Sequence, residues 1–318
     1  MRERDLSASL ACHGFRRARP HVVLVSCLVA ALLPTTSWRT ASAAPTRLVG
    51  TIGVHFVAEG ETLLDIARDN NLGILEVMAA NPGVDPWIPE DGSLILLSQA
   101  RILPDAPERG IVINLAERRL YVFADGKTEV RSWPIGIGRL GFTTPLGETR
   151  IVKKTVDPVW RPTAEMRAED PDLPEAVPAC PENPLGKFAL YLGWPQYVIH
   201  GTNRPWGIGR RVSRGCIRLY PEDIEALFAI AELGMKVTVV DQVVKLAWHN
   251  DRLYLEVHPS RAQLDDLEAT GRFEPEPVEG LPDLVHEAAG DRAGRLDLAA
   301  VARAERERRG VPVIIARP

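Results

Sequence analysis

Residues 198–219 read VIHGTNRPWGIGRRVSRGCIRL, and this stretch decides how the rest of the chain is interpreted. His200 ends an apolar, strand-like run, and Cys216 follows sixteen residues later in a glycine-hinged turn. A cysteine attacks as its thiolate, and a histidine close by can generate that thiolate. The spacing alone leaves four roles open for Cys216: a buried thiol, half of a disulfide, a metal ligand or a nucleophile.

The neighbours of Cys216 favour the nucleophile. Gly215 allows a backbone turn in which the amides of residues 215 and 216 point at a developing oxyanion. Arg214 and Arg218 add positive charge, which favours a thiolate and can bind a substrate carboxylate. A zinc site is disfavoured because the sequence offers no CxxC or HxxxH spacing.

Composition limits the function classes. The 318 residues are 45% hydrophobic and carry a net charge of −4 with both signs interspersed, so no nucleic-acid-binding footprint is visible. No apolar run is long enough for a stable membrane span. We therefore expect neither nucleic acid nor a transmembrane helix to be part of the function.

The N-terminus has the layout of a secretory signal peptide. Arginines precede the apolar run 22–33, and the small residues ASAA at 41–44 follow it. We expect residues 1–44 to be a signal peptide and the mature protein to lie in the periplasm. Cys180 and Cys216 are then the cysteines that remain, and outside the cytoplasm they could form a structural disulfide.

Residues 53–98 form a β-α-α-β unit. Thr62 is placed to cap a first helix, 74–80 predicts a second helix that stops before Asn81-Pro82-Gly83, and 94–97 predicts the closing strand. Its sequence words, V-x-x-G-E-T-L-x-x-I-A, A-N-P and I-P-x-D-G-x-x-I, resemble those of a LysM module. That resemblance implies binding to N-acetylglucosamine-containing glycan strands such as peptidoglycan; a purely structural α+β cap is the alternative.

Residues 109–241 read as a β domain and 242–318 as a hairpin followed by a helical extension. Within the β domain, 156–186 is proline-rich, acidic and without periodicity, which is typical of a functional lid or a disordered insert. A helix is predicted over 221–233 and a last strand over 235–240.

The words H-G-T-N…S-x-G-C-I-R-L resemble the signature of the YkuD-type L,D-transpeptidases, particularly the Gram-negative branch that joins a LysM module to the catalytic domain. The resemblance extends over about residues 50–258 and includes T-P-L-G-E-x-R-I, N-P-L-G-K-x-A-L-Y-L and L-Y-L-E-V-H-P. It implies a mainly β protein with a YkuD-type β-sandwich catalytic domain that acts on peptidoglycan stem peptides.

The resemblance also assigns catalytic roles. Cys216 would attack the carbonyl of the third, L-centred residue of a tetrapeptide stem and expel D-alanine, with His200 as general base and then proton donor. Gly201 and Ser213 would orient His200 and shape the turn, and Gly215 would place the oxyanion-binding amides. Thiol, imidazole and amides suffice for acyl transfer, so no metal and no organic cofactor are expected.

We expect the substrate to contact Arg218, Arg214, Trp206, Thr202 and Asn203, with a packing role still open for Trp206. Many family members have a second histidine where this chain has Arg214. His200 is therefore the only histidine within the motifs H-G-T-N and S-x-G-C-I-R-L of this chain.

The sequence does not identify the acceptor of the acyl group. A second stem peptide gives a cross-link, a lysine-ended wall-anchored protein gives a protein–wall attachment, and water gives an L,D-carboxypeptidase or a hydrolase of the same bonds. A non-catalytic wall-binding protein is the alternative from another class, and the intact Cys216 and His200 argue against it.

Overall fold

In a computed structural model of the chain, the structure describes residues 47–123 and 130–318. The expected signal peptide lies outside these residues, and so does Asp125-Gly126, a dipeptide for which the sequence predicts a hairpin turn. Among the described residues, no helix has both the length and the apolar character that crossing a membrane requires.

The described strands, in chain order, are β1 Leu48–Val49, β2 Gly53–Phe56, β3 Leu94–Leu97, β4 Arg101–Ile102, β5 Gly110–Asn114, β6 Arg119–Phe123, β7 Val130–Pro134, β8 Ile137–Gly138, β9 Gly147–Val156, β10 Phe188–Leu192, β11 Val198–His200, β12 Arg211–Ser213, β13 Ile217–Arg218, β14 Lys236–Val240, β15 Val244–His249, β16 Arg252–Val257 and β17 Val313–Ala316. The helices are α1 Leu63–Asp69, α2 Ile74–Ala80, α3 Ala164–Glu169, α4 Pro221–Ile230, α5 Arg261–Thr270, α6 Leu281–Ala289 and α7 Leu298–Glu307.

The N-terminal unit has the β-α-α-β order that its sequence predicts. Thr62 caps α1: its Oγ1 accepts a hydrogen bond from the Asp65 amide at 3.2 Å, and an Asp65 carboxylate oxygen accepts one from the Thr62 amide at 3.1 Å. Strands β2 and β3 pair antiparallel, and apolar side chains of both helices fill the space beneath them. Leu264 and Leu267 of α5 join this core, so the C-terminal extension helps to bury the unit.

An eight-stranded mixed sheet forms the centre of the molecule, in the order β13-β11-β10-β9-β14-β5-β6-β7. The sheet curls until its two edges meet, because Gly136, just after β7, forms a bridge with Arg218 in β13. The two walls of this one sheet enclose a single apolar core. The expectation of a mainly β protein with few helices is thus confirmed.

Helix α4 is shorter than its sequence pattern predicts. It begins at Pro221 as expected but ends at Ile230 rather than Leu233, because Ala231 already has an extended backbone with ψ 135°. The three residues up to Gly234 form the turn into β14, and Gly234 takes a positive φ of 83° there.

The lid segment (156–186) is an ordered loop. Its two sides are joined by an antiparallel bridge between Trp160 and Val177, and α3 lies between them. The buried Asn183 donates side-chain hydrogen bonds to carbonyls on both sides, including Pro158 O at 2.7 Å and Val177 O at 3.2 Å. These bonds replace the regular pairing that a proline-rich sequence cannot form.

The C-terminal extension contains a three-stranded sheet, β15-β16-β17, packed against α6 and α7. A buried ion cluster (Glu117, Lys245, Glu256 and His258) joins it to the central sheet. The Lys245 ammonium lies 2.8 Å from a carboxylate oxygen of both Glu117 and Glu256. Lys245 already supplies a cation between these carboxylates, so we interpret the cluster as a structural joint.

Candidate active site

Strand register brings the sequence-predicted residues together. Strands β11 and β13 are parallel, with His200 opposite Arg218. Cys216 directly precedes β13, and side chains alternate along a strand, so Cys216 and Arg218 lie on the same face as His200. The chain between His200 and Cys216 thus folds back to place thiol, imidazole and guanidinium at one edge of the sheet.

His200 is buried and held in one tautomer. Its Nδ1 lies 2.6 Å from the carbonyl oxygen of Gly201, which can only accept a hydrogen bond, so Nδ1 carries the proton. Nε2 is then the nitrogen with a free lone pair. Burial, together with the positive charge of Arg218, lowers the pKa of His200 from 6.5 to about 3. The imidazole is therefore neutral at physiological pH and able to accept a proton.

Cys216 is half-buried, and its Sγ donates to the carbonyl oxygen of Gln196 at 3.5 Å. Burial raises the pKa of the thiol, while a hydrogen bond from the Val198 backbone and the charge of Arg218 act in the opposite direction. The free enzyme therefore holds Cys216 as a protonated thiol at neutral pH, and attack requires transfer of that proton to a base.

The turn before Cys216 requires glycine. Gly215 has φ 95°, and a Cβ there would lie 2.7 Å from Cε1 of the Tyr197 ring. Ser213 Oγ donates to the Cys216 carbonyl at 2.5 Å, and Thr144 Oγ1 donates to the Gly215 carbonyl at 2.9 Å. In the described part of the chain, the N–H groups of residues 215 and 216 donate to no protein acceptor, which leaves them available for an oxyanion.

Three residues of this turn's surroundings were not predicted as site residues: Thr144, Gln196 and Tyr197. Thr144 stands in the word T-P-L-G-E-x-R-I, so the family resemblance could have identified it. Gln196 has a positive φ of 70°, a conformation that costs energy in a residue with a side chain. No sequence pattern indicates it, because the strain comes from the turn between β10 and β11.

Arg218 is the one predicted arginine without a counterion among the described residues. Its Nε is buried with no hydrogen-bond partner there, and burial lowers the pKa of its guanidinium. Its backbone exchanges two hydrogen bonds with Gly136, at 2.8 and 2.9 Å, which fixes the strand that carries it. A desolvated guanidinium facing Cys216 and His200 is suited to bind a carboxylate.

Arg214 is engaged differently. Its guanidinium forms an ion pair with Glu169 at the end of α3, in the lid segment, and lies 4.6 Å from the centroid of the Phe142 ring. This ion pair therefore joins Arg214, two positions before Cys216, to the lid segment.

The remaining predicted contacts separate into two groups. Thr202 is buried, and its Oγ1 accepts a hydrogen bond from the Arg204 amide at 2.9 Å, while Asn203 donates to the Glu182 carbonyl in the lid segment at 2.7 Å. Both side chains hold the loop after His200 in shape. Trp206, in the 3₁₀ turn Pro205–Gly207, is 52% exposed and presents its ring to solvent.

Cys180 is an exposed free thiol and Cys216 is also free, so the disulfide that the sequence left open is not formed. A cleft of about 810 Å³ opens between lid residues 161–175 and Gln196, the residue whose carbonyl contacts Cys216 Sγ. The cleft is large enough for a peptide and opens beside the turn that contacts Cys216, although neither Cys216 nor His200 lines it.

Comparisons with known proteins agree with this geometry. The YkuD family profile, described as the L,D-transpeptidase catalytic domain, matches residues 108–239. Probable L,D-transpeptidase YbiS of Escherichia coli K12 is 46% identical over 220 residues, which cover 67% of this chain and 72% of that protein. Probable L,D-transpeptidase YcfS of the same strain is 44% identical over 234 residues, covering 70% and 73%.

Among solved structures, an L,D-transpeptidase from Mycobacterium smegmatis aligns with 46% of this chain and 65% of its own at a TM-score of 0.33 and 23% identity. The assignment rests on the sequence matches, which extend over most of both chains. On that basis the chain belongs to the L,D-transpeptidase family, with a YkuD catalytic domain that contains Cys216 and His200.

Proposed function

We propose that this protein cross-links peptidoglycan stem peptides by cysteine acyl transfer, with Cys216 as nucleophile and His200 as the base. The observation that carries the proposal is the placement of a thiol and a neutral imidazole on one sheet face, beside a guanidinium without a counterion among the described residues.

The first half-reaction forms a thioester. Nε2 of His200 accepts the proton of the Cys216 thiol, and Sγ attacks the carbonyl carbon of the third, L-centred residue of a tetrapeptide stem. The resulting imidazolium gives its proton to the departing amine as the bond to the terminal D-alanine breaks. The hydrogen bond from Nδ1 to Gly201 keeps the ring oriented through both transfers.

Developing charge on the carbonyl oxygen would be stabilised by the N–H groups of residues 215 and 216. Removing one oxyanion donor costs about 10²–10³ in rate in other acyl-transfer enzymes. The hydroxyls of Ser213 and Thr144 support this role, because each fixes a carbonyl of the same turn and so fixes the direction of the adjacent amides. Arg218 binds a carboxylate of the stem from the same side.

In the second half-reaction an amine attacks the thioester, His200 accepts the proton of the amine, and the Cys216 thiolate leaves and is reprotonated. We favour the side-chain amine of an acceptor stem, which forms a peptide cross-link; a lysine-ended wall-anchored protein supplies the same chemical group. The family names of the relatives support transfer to an amine over transfer to water.

We further propose that residues 1–44 direct export to the periplasm, that 53–98 is a LysM module which binds glycan strands, and that 109–241 is the catalytic domain followed by the extension 242–318. Support for glycan binding comes from Trp87 and Ile88 in the loop between α2 and β3, which are 56% and 81% exposed. The flat ring of Trp87 can stack on a sugar ring, and Ile88 adds apolar surface beside it.

The test is product analysis with purified disaccharide-tetrapeptides. We expect a cross-linked dimer and free D-alanine from the wild type, neither product from Cys216→Ala, and wild-type products from the matched variant Cys180→Ala. Tripeptide and free D-alanine without dimer would identify water as the acceptor and favour the L,D-carboxypeptidase alternative.

A further inference from the structure

We propose that Arg139 and Arg214 form a binding site for a carboxylate of the donor stem peptide, and that Glu169 of the lid occupies this site in the free enzyme. The inference rests on the proposed function and concerns how the substrate enters the same active site.

Two guanidiniums converge on one carboxylate. An oxygen of Glu169 forms an ion pair with Arg214 and lies 3.4 Å from Nη2 of Arg139. Both arginines also stack on the Phe142 ring, with their Cζ atoms 4.8 and 4.6 Å from its centroid. Both cations contact the same ring and the same carboxylate oxygen, so the pair is suited to bind an anion.

The site is joined directly to the catalytic turn. Arg214 lies two residues before Cys216, and the amide of Arg139 donates to the Ser213 carbonyl at 2.8 Å. In the donor, the terminal carboxylate lies one residue beyond the carbonyl that Sγ attacks. An anion site fixed to the turn that carries the nucleophile therefore lies within reach of that carboxylate.

Glu169 is suited to be displaced. Its side chain is 48% exposed, and it is the last residue of α3, which has no buried residue to hold it against the domain. Ion pairs with an exposed partner contribute little net stability, so a substrate carboxylate can replace Glu169 at little cost. One Nη atom of Arg214 is buried without a partner among the described residues, which leaves a donor for the incoming anion. Two cations and one carboxylate also leave one positive charge to attract it.

Exchange of one carboxylate for another would release α3 from the catalytic turn. A peptide without a carboxylate at this position would gain nothing from the arginine pair.

The kinetic test uses Glu169→Gln with Glu165→Gln as the matched control, because Glu165 lies on the same helix and forms no ion pair among the described residues. Donors are the disaccharide-tetrapeptide, its terminal amide, and the peptide amidated at the side-chain carboxylate of residue three. We expect Glu169→Gln to raise kcat/KM for the unmodified donor about two- to fivefold through KM, and Glu165→Gln to match the wild type.

The amidated donors identify which carboxylate of the stem binds the arginine pair. Amidation of that carboxylate should remove the gain in kcat/KM that Glu169→Gln produces, and amidation of the other carboxylate should not. Arg214→Gln should lower kcat/KM for the unmodified donor about tenfold or more and change it little for that amide. An equal change in kcat/KM on all three donors in Glu169→Gln, whether a gain or a loss, would mean that Glu169 does not compete with a substrate carboxylate, and would overturn the proposal.

A second measurement does not depend on turnover. In Cys216→Ala protein, saturating tetrapeptide should increase amide hydrogen exchange in residues 164–169, and no increase would overturn the proposal. Failure of the proposed function looks different: the wild type would then release no D-alanine from any donor.

Discussion

Acid should destabilise the protein through His200 by an amount that follows from its burial. The pKa of this histidine falls from 6.5 to about 3 in the folded protein. As the pH falls, the unfolded chain therefore binds a proton near pH 6.5, whereas the folded chain binds it only near pH 3. The contribution to stability is complete above pH 6.5 and is lost as the pH falls toward 3. At about pH 4.5 the loss amounts to about 3 kcal/mol, and it depends little on the folded-state pKa as long as that lies below about 4.

The assay is urea unfolding of the wild type and His200→Asn at about pH 8 and about pH 4.5. Asparagine keeps a donor near the position of Nδ1, so the hydrogen bond to Gly201 can be retained. Asp223 titrates in the opposite sense, because burial and the nearby Glu222 raise its pKa to about 7, but it does so in both proteins and cancels in the difference. His286→Asn, which removes an exposed histidine from α6, controls for the loss of a histidine as such.

We expect the stability advantage of the wild type over His200→Asn to shrink by about 3 kcal/mol between the two pH values. The same neutral imidazole predicts that kcat/KM shows no loss as the pH falls through 6.5. A stability difference that stays constant with pH would mean that folded His200 carries a proton in this range, and the assignment of Nε2 as the free base would then be wrong.

Two further substitutions test the turn before Cys216 and the buried ion cluster around Lys245. Gly215→Ala places a methyl against Tyr197 and should reduce kcat by about 100-fold through displaced amides. Gly234→Ala, in the turn into β14, has a similar positive φ but open space around it and should keep the wild-type rate, whereas a fully active Gly215→Ala would exclude the proposed oxyanion role. Lys245→Met leaves buried carboxylates without their cation and should lower the free energy of unfolding in urea by about 3–5 kcal/mol. The matched change at an exposed lysine, Lys236→Met, should lower it by about 0.5 kcal/mol or less. Equal effects of the two substitutions would show that the buried ion cluster is not a structural joint.

Local patterns predicted local structure well. Helix α2 spans 74–80 as expected, the Thr62 cap is present, and the hairpin of β15 and β16 turns at Asn250 and Asp251, both with positive φ. These features depend on residues close in the sequence, where capping, alternation and turn chemistry act directly.

Features that depend on distant partners were not predicted. The sequence of 156–186 has no periodicity, so α3 and the Asn183 hydrogen bonds could not be anticipated. The sequence predicts a helical extension after the hairpin, whereas Val313–Ala316 form β17 because β16 offers an edge for pairing. For the site, the motifs H-G-T-N and S-x-G-C-I-R-L predicted His200 and Cys216. The ion pair of Arg214 with Glu169 joins residues 45 positions apart, and no local pattern indicates it.

The most direct test of the account is to trap the acyl-enzyme. Wild-type protein, mixed with a tetrapeptide donor whose side-chain amine is acetylated so that it cannot act as acceptor and then quenched in acid, should carry the disaccharide-tripeptide as a thioester, and peptide mapping by mass spectrometry should place it on Cys216. The exposed thiol of Cys180 is the internal control and should remain unmodified. An acyl group on Cys180, or full cross-linking by Cys216→Ala protein, would contradict the assignment of Cys216 as the nucleophile.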